Sequence, residues 1–236
     1  MNNLRLGVAL SWARTAYRVN FMAFVALSLV VTIMGFGQQV VAGPLTETLT
    51  LCLEPGGQGS TLNVDLISQC FSAESNAITL SVFASLFFLI AAFLSTAGVI
   101  RGSLFVTRGQ RIGFADTFLG PHFVSFTLTV LVMMVVFVAG LFIFIIPALI
   151  ALVLFQFAPF AALDRGLAPF AALRASVAIA RRSWSAAILV LLISTAAYLI
   201  SGLFWGIPTI VALPIAALVT AYVYRVQSGE IVDEVL

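Results

Sequence analysis

The stretch FVSFTLTVLVMMVVFVAGLFIFIIPALIALVLFQFAPFAAL, from Phe123 to Leu163, contains no charged residue. As a helix it would run about 60 Å, twice the roughly 30 Å of hydrocarbon that one crossing requires. It must therefore turn back on itself. Gly140 and Pro147 bracket the reversal, because glycine tolerates a turn and proline removes a backbone donor and ends the helical run before it. The segment from Ser183 to Tyr224 is again uncharged and double-length, with Gly202, Gly206 and Pro208 at its turn.

Working outward, the apolar runs predict spans at about 20–41, 77–100, 122–142, 144–163, 184–205 and 207–225. The composition agrees: 62% hydrophobic and 8% charged residues leave too little polar surface to cover a soluble globule of 236 residues, so the bilayer must be the solvent. The expected fold is all-α: a single domain over 1–236 with six transmembrane helices arranged as three hairpins. The net charge of +2 and the dispersed basic residues exclude a nucleic-acid binder. Arg5, Arg14 and Arg18 ahead of the apolar run from Phe21 imitate a signal peptide, but Gln38 and Gln39 would end one poorly. The run is read as a retained first span.

The hairpins echo one another. Ala139-Gly-Leu-Phe with Ile146-Pro147 recurs as Ser201-Gly-Leu-Phe with Ile207-Pro208, and Ala9-Leu10, Arg18 and Phe21 correspond to Ala172-Leu173, Arg181 and Trp184. This implies a repeated unit, an interfacial amphipathic helix followed by a transmembrane hairpin, with the copy before the second hairpin (Phe105 to Leu119) the least similar.

All 11 basic residues are arginines, and all fall in the segments before span one, between spans two and three (loop 101–121), between four and five (loop 164–183), or after span six. The loop 43–76 carries Glu47, Glu54, Asp65 and Glu74 and no basic residue. The positive-inside rule then puts both termini in the cytoplasm and that loop outside, as expected for a multi-pass protein of the bacterial inner membrane.

Few residues invite chemistry. Cys52 and Cys70 share the outside loop, where a disulfide would be expected to contribute about 3 kcal/mol; free thiols are the other reading, and with no histidine beside them a metal site is not expected. In the connection from Asp164 to Trp184, Pro169 suits a first helical turn and Phe170, Leu173, Val177 and Trp184 recur at helical spacing. That describes an interfacial helix whose Arg174, Arg181 and Arg182, with Trp184 at the aromatic belt, reach anionic lipid headgroups or simply orient the hairpin. Asp164 beside Arg165 reads as an ion pair or helix cap rather than a proton relay, and Asp116 lies near Arg108 and Arg111. His122 is a lone interfacial histidine. The expected spans hold no charge; their polar groups are Ser81, Ser85, Ser125, Thr127, Gln156, Ser194, Thr195 and Thr220, of which Gln156 is the one strongly polar candidate for an intramembrane site or an interhelical bond. Neither a charged pathway nor a nucleophile with a base is apparent, and no cofactor is implied.

The segment Phe157-Ala-Pro-Phe-Ala-Ala-Leu-Asp-Arg-Gly166, followed by Ala172-Leu-Arg-Ala-Ser176 and Arg181-Arg-Ser-Trp184, resembles the membrane domain of bacterial glycerophosphoryl diester phosphodiesterases and related uncharacterised six-span proteins. The likeness runs from Gly102 to Tyr224 and implies the six-span fold. In those enzymes a separate soluble barrel carries catalysis, and its His, Glu and Asp residues have no counterpart here, so the resemblance implies no catalytic residue. The expectation is a non-enzymatic accessory or scaffold subunit, partnered by membrane lipids and another integral membrane protein or complex; a lipid-handling or small-solute transporter is the alternative.

Overall fold

A helix that is apolar all round can be covered only by lipid or by other helices, and the chain is built almost wholly from such helices. The computed structural model describes residues 6–53, 72, 75–113, 117 and 120–233, apart from some side chains, that of Cys52 among them. In chain order the helices are α1 (Leu6–Val19), α2 (Phe21–Leu53), α3 (Ser75–Val106), α4 (Phe123–Ile143), α5 (Ile145–Phe155), α6 (Ala158–Arg165), α7 (Pro169–Arg182), α8 (Trp184–Leu203) and α9 (Thr209–Ser228). Six stretches are long and apolar enough to cross a membrane, α5 and α6 together forming the fourth. The protein is an all-α, multi-pass integral membrane protein.

The chain divides into two compact units, residues 30–94 and residues 1–29 with 95–236. In the smaller unit Gly37 faces the ring of Phe88 so closely that no Cβ would fit between them. In the larger unit α9 is the most enclosed span, with 56% of its apolar window buried. It packs against α8, α1 and α7. On α1 the fully buried face is Ala9, Ala13 and Ala16, spaced at one helical turn, and such small side chains let helices approach closely.

The second hairpin reverses at a single residue. Phe144 is extended (φ −170°, ψ 157°) and donates its amide to the Gly140 carbonyl, after which α5 begins at once, with Pro147 in its first turn where no donor is lost. The third hairpin instead uses the longer turn 204–208, with Trp205 (φ 57°) and Gly206 (φ 83°) both left-handed. The fourth span breaks at Gln156 and Phe157. The break is sealed from α7: Ser176 Oγ donates to the Leu154 carbonyl (2.6 Å) and accepts from the Phe157 amide (3.1 Å).

Several expectations require correction. Helix α2 does not stop near 41 but continues through Gly43 and Pro44 to Leu53, and Thr46 helps close that turn by donating to the carbonyls of Ala42 and Gly43. The first part of the expected loop 43–76 is therefore helical. The spans also run further at their arginine-bearing ends, so that Arg101, Asp164, Arg165 and Arg225 lie within the apolar helices rather than beyond them. The inward face of α7 is Ala172, Leu173, Ser176, Ile179 and Ala180. Of the residues that recur at helical spacing, Leu173 is buried while Phe170 and Trp184 are exposed, and Ser176 turns inward to cap the broken span. Of the interfacial helix expected over Phe105 to Leu119, residues 105–106 instead end α3 and residues 107–113 are irregular, while 114–116 and 118–119 lie outside the described residues. Asp116, Cys70 and the Cys52 side chain, and with them the expected disulfide, also fall outside.

The two corresponding glycines differ in surroundings. A Cβ on Gly140 would sit 3.1 Å from both the amide nitrogen and the Cα of Ala148, whereas one on Gly202 would meet nothing within 4 Å. Gly140→Val is expected to destabilise the protein by about 1–3 kcal/mol through overpacking, while Gly202→Ala is neutral or stabilising by up to about 1 kcal/mol through helix propensity. Thermal unfolding in a mild detergent measures both.

Candidate functional site: a buried ionic cluster at the arginine-bearing end

A charge held at the edge of an apolar body must be paired and hydrogen-bonded, since desolvating it alone costs several kcal/mol. Three segments meet this demand together: the turn after α3, the end of α6 and the last turns of α9. Asp164, whose side chain is only 2% exposed, accepts at Oδ1 from Arg225 Nη2 (2.6 Å) and Arg108 Nη2 (2.7 Å). Its Oδ2 accepts from the Tyr224 hydroxyl at 3.2 Å. Arg225, itself 5% exposed, donates from Nε to Thr107 Oγ1 (3.1 Å) and pairs through Nη1 with Glu230. Glu230 also takes Arg165 Nη2 at 2.6 Å. Three guanidiniums thus face two carboxylates, leaving one positive charge.

Neighbouring contacts hold the frame. The segment after α9 returns to the same place, where the Asp233 amide donates to the Thr107 carbonyl (3.2 Å) and its carbonyl accepts from Trp12 Nε1 (3.3 Å). Trp12 stacks at a tilt on Tyr222, with ring centroids 5.3 Å apart. Arg101, also buried, donates to the Pro121 carbonyl (2.5 Å), and its guanidinium fills the space that a side chain on Gly120 would need. His122 adopts a left-handed backbone (φ 69°), and its ring lies where a Cβ on Gly166 would sit; Gly166 is itself left-handed (φ 64°). This pair of positive-φ residues packs the start of α4 against the end of α6.

Asp164 is an ion-pair residue, but its partners are distant in sequence. Arg165, its neighbour, reaches it only at 3.9 Å, because successive helical residues point in different directions. Arg108, placed near Asp116 by sequence, instead serves Asp164. Arg225, which reads as a simple flank of the last span, was missed as a cluster member. The available signal was its position: the lone charge of α9, near its end, matched by one carboxylate at the end of the fourth span. Arg174, Arg181, Arg182 and Trp184 are exposed and stand apart from the cluster; Arg182 donates to the Gln227 carbonyl. Gln156 lies on the break of the fourth span, where its Nε2 donates to the carbonyls of Val153 (3.0 Å) and, on α8, Ala187 (2.8 Å). Among the described residues no group of three or more His, Cys, Asp or Glu side chains is placed to hold a metal.

A second feature lies inside the apolar region. A cavity of about 130 Å³ between α3, α6, α8 and α9 is lined by Thr96, Phe160, Ser194, Tyr198, Ser201 and Thr209 among others. Ser201 is 8% exposed, and among the described residues its hydroxyl has no hydrogen-bond partner. Phe160 separates the cavity from the cluster, its ring centroid 6.2 Å from that of Tyr224.

No protein-family model matches the chain, and no solved structure matches it. The chain is similar to the uncharacterized protein Rv2560 of Mycobacterium tuberculosis, 28% identical over 240 residues that cover 98% of this chain and 71% of the relative. An uncharacterized protein of Mycobacterium bovis, Mb2590, matches with the same identity and coverage. The similarity thus extends along nearly the whole chain.

Breaking the central pair should strand a charge. Asp164→Asn is expected to cost about 3–5 kcal/mol because it removes the buried carboxylate that Arg225 and Arg108 share and leaves Arg225 only the more exposed Glu230, and Arg225→Gln somewhat less because Asp164 keeps Arg108. Adding Arg225→Gln to Asp164→Asn should recover much of the loss. Arg165→Gln, which removes a half-exposed pair with Glu230, should cost under about 1 kcal/mol. A double-mutant cycle on thermal unfolding tests the ranking.

Proposed function

We propose that the chain is a non-enzymatic accessory or scaffold subunit of a larger membrane complex in the bacterial inner membrane, its arginine-bearing end in the cytoplasm. The observation that carries this reading is the disposition of its polar and apolar groups. The cluster's charges are engaged with one another and with the hydroxyls of Thr107 and Tyr224. The third helix, by contrast, offers the membrane a nearly uncovered apolar surface: only 6% of its spanning window is buried, and Phe83 and Phe87, one turn apart, are 66% and 63% exposed. An open apolar helix of this kind suits lateral packing against another membrane protein, where van der Waals fit drives association.

Purification from native membranes in digitonin tests this. A stoichiometric integral membrane partner is expected, and Phe83→Ala with Phe87→Ala should release it without lowering the unfolding temperature. A protein that runs alone overturns the reading.

The alternative, a lipid-handling or small-solute transporter, is favoured by one observation, the hydroxyl-lined cavity beside the cluster. In that case Ser201→Leu, which fills the cavity, should abolish flux of the transported lipid or solute in reconstituted vesicles at unchanged protein yield. Undiminished flux eliminates it.

A further inference from the structure

The arginines of the central cluster are engaged, whereas Arg14, Arg18, Arg111, Arg174 and Arg181 have no carboxylate or hydrogen-bond partner among the described residues, and two of these five share a cleft. Arg18, at the end of α1, and Arg111, in the irregular segment after α3, line one cleft of about 500 Å³ in the larger unit. Both are exposed, and among the described residues neither has a carboxylate or any other hydrogen-bond partner. The rest of the wall is mostly apolar, with Val19, Phe21, Met22 and Ile112. Met22 is 79% exposed and stands at the entry to the first span, which begins at Phe21. Asn20 occupies the bend: its amide and side-chain nitrogen both bond the Ala16 carbonyl, while its own carbonyl takes the Phe24 amide. Phe21, Met22 and Ala23, the first turn of α2, complete this side of the wall.

We propose that this cleft binds the headgroup of an anionic phospholipid, its phosphate between Arg18 and Arg111 and its tails against Met22 and Phe21. The paired arginines carry the inference. Two guanidiniums from separate segments line one cleft with no carboxylate among the described residues to neutralise them, and a phosphate oxyanion supplies that charge while accepting the forked bonds that arginine offers. Basic pockets of this kind at a membrane surface suit anionic headgroups. The apolar side chains beneath distinguish a lipid from a soluble phosphate, because they would be left wet by an ion without tails. Arg174 and Arg181 lie elsewhere, so the site is distinct from the interfacial arginines of α7, and it stands whether or not the chain is a scaffold.

The test is native mass spectrometry of the whole protein from mixed micelles containing phosphatidylglycerol or phosphatidylcholine, with unfolding in phosphatidylcholine alone as the control for folding. One phosphatidylglycerol is expected to be retained in preference to phosphatidylcholine. Arg18→Gln and Arg111→Gln should each weaken retention about fivefold, and Arg174→Gln should leave it unchanged. If either glutamine variant unfolds, Arg18→Lys and Arg111→Lys keep the charge and lose the fork, and retention should then fall by a smaller factor. Equal retention of the two lipids, equal loss with Arg174→Gln, or no loss with the Arg18 and Arg111 variants overturns the site. Displacement of the lipid by millimolar inorganic phosphate would make it a site for a soluble anion and overturn the lipid assignment.

Discussion

The contact between Asp164 and Arg225 is the constraint on which the larger unit depends. A carboxylate with 2% of its side chain exposed and a guanidinium with 5% cannot be tolerated singly in such a place. Their pairing therefore dictates where the end of the fourth span, the last turns of α9 and the turn after α3 must sit. Thr107, Arg108 and Tyr224 complete the hydrogen bonding, and Glu230 brings the following segment under the cluster. Such a pair adds little net stability over an apolar packing of the same volume. What it supplies here is register, because the helices around it are otherwise joined by surfaces of Ala, Val and Leu that could slide by a turn.

Against that fixed end, the interior of the larger unit is an exercise in close approach and repaired backbone. The Ala9, Ala13 and Ala16 stripe lets α1 lie directly on α9, and Gly140 does the same for α4 and α5. Where the fourth span breaks, each exposed backbone group finds a side chain: Ser176 serves Leu154 and Phe157, and Gln156 ties the break to α8. In hydrocarbon no water is available to do this, so a broken helix is stable only where protein groups satisfy it. This explains why α7, amphipathic enough to lie on a membrane surface, turns a serine inward.

Much of the fold was legible in the sequence because the bilayer imposes length. An uncharged run twice the length of a crossing has to reverse, and the reversal at Phe144 falls between the Gly140 and Pro147 that mark it. The finer turn could not be read: Gly202 repeats Gly140 in sequence, yet the third hairpin turns through 204–208 and leaves Gly202 in open space. The site was less legible. The expectation paired Asp164 with the residue beside it, whereas packing paired it with residues 56 and 61 positions away. Long-range pairing depends on which helices are neighbours, and nothing in the periodicity of one apolar helix identifies the face it presents to another. The inward place of Ser176 on α7 was illegible for the same reason, since it is polar by type and interior by circumstance.

The sequence separation within the cluster also bears on how the molecule is made. During synthesis Arg108 emerges first, Asp164 next, and Arg225 only after the third hairpin is nearly complete. Over that interval the carboxylate at the end of the fourth span has one cation already available to it, and Arg108, reaching Asp164 from a half-exposed position, is suited to hold it. Arg225 then joins Arg108 on the same carboxylate oxygen, so that Arg108 becomes one of two partners. The sequence order thus allows assembly hairpin by hairpin in which the final closure adds a second cation to an acid that already has one within reach.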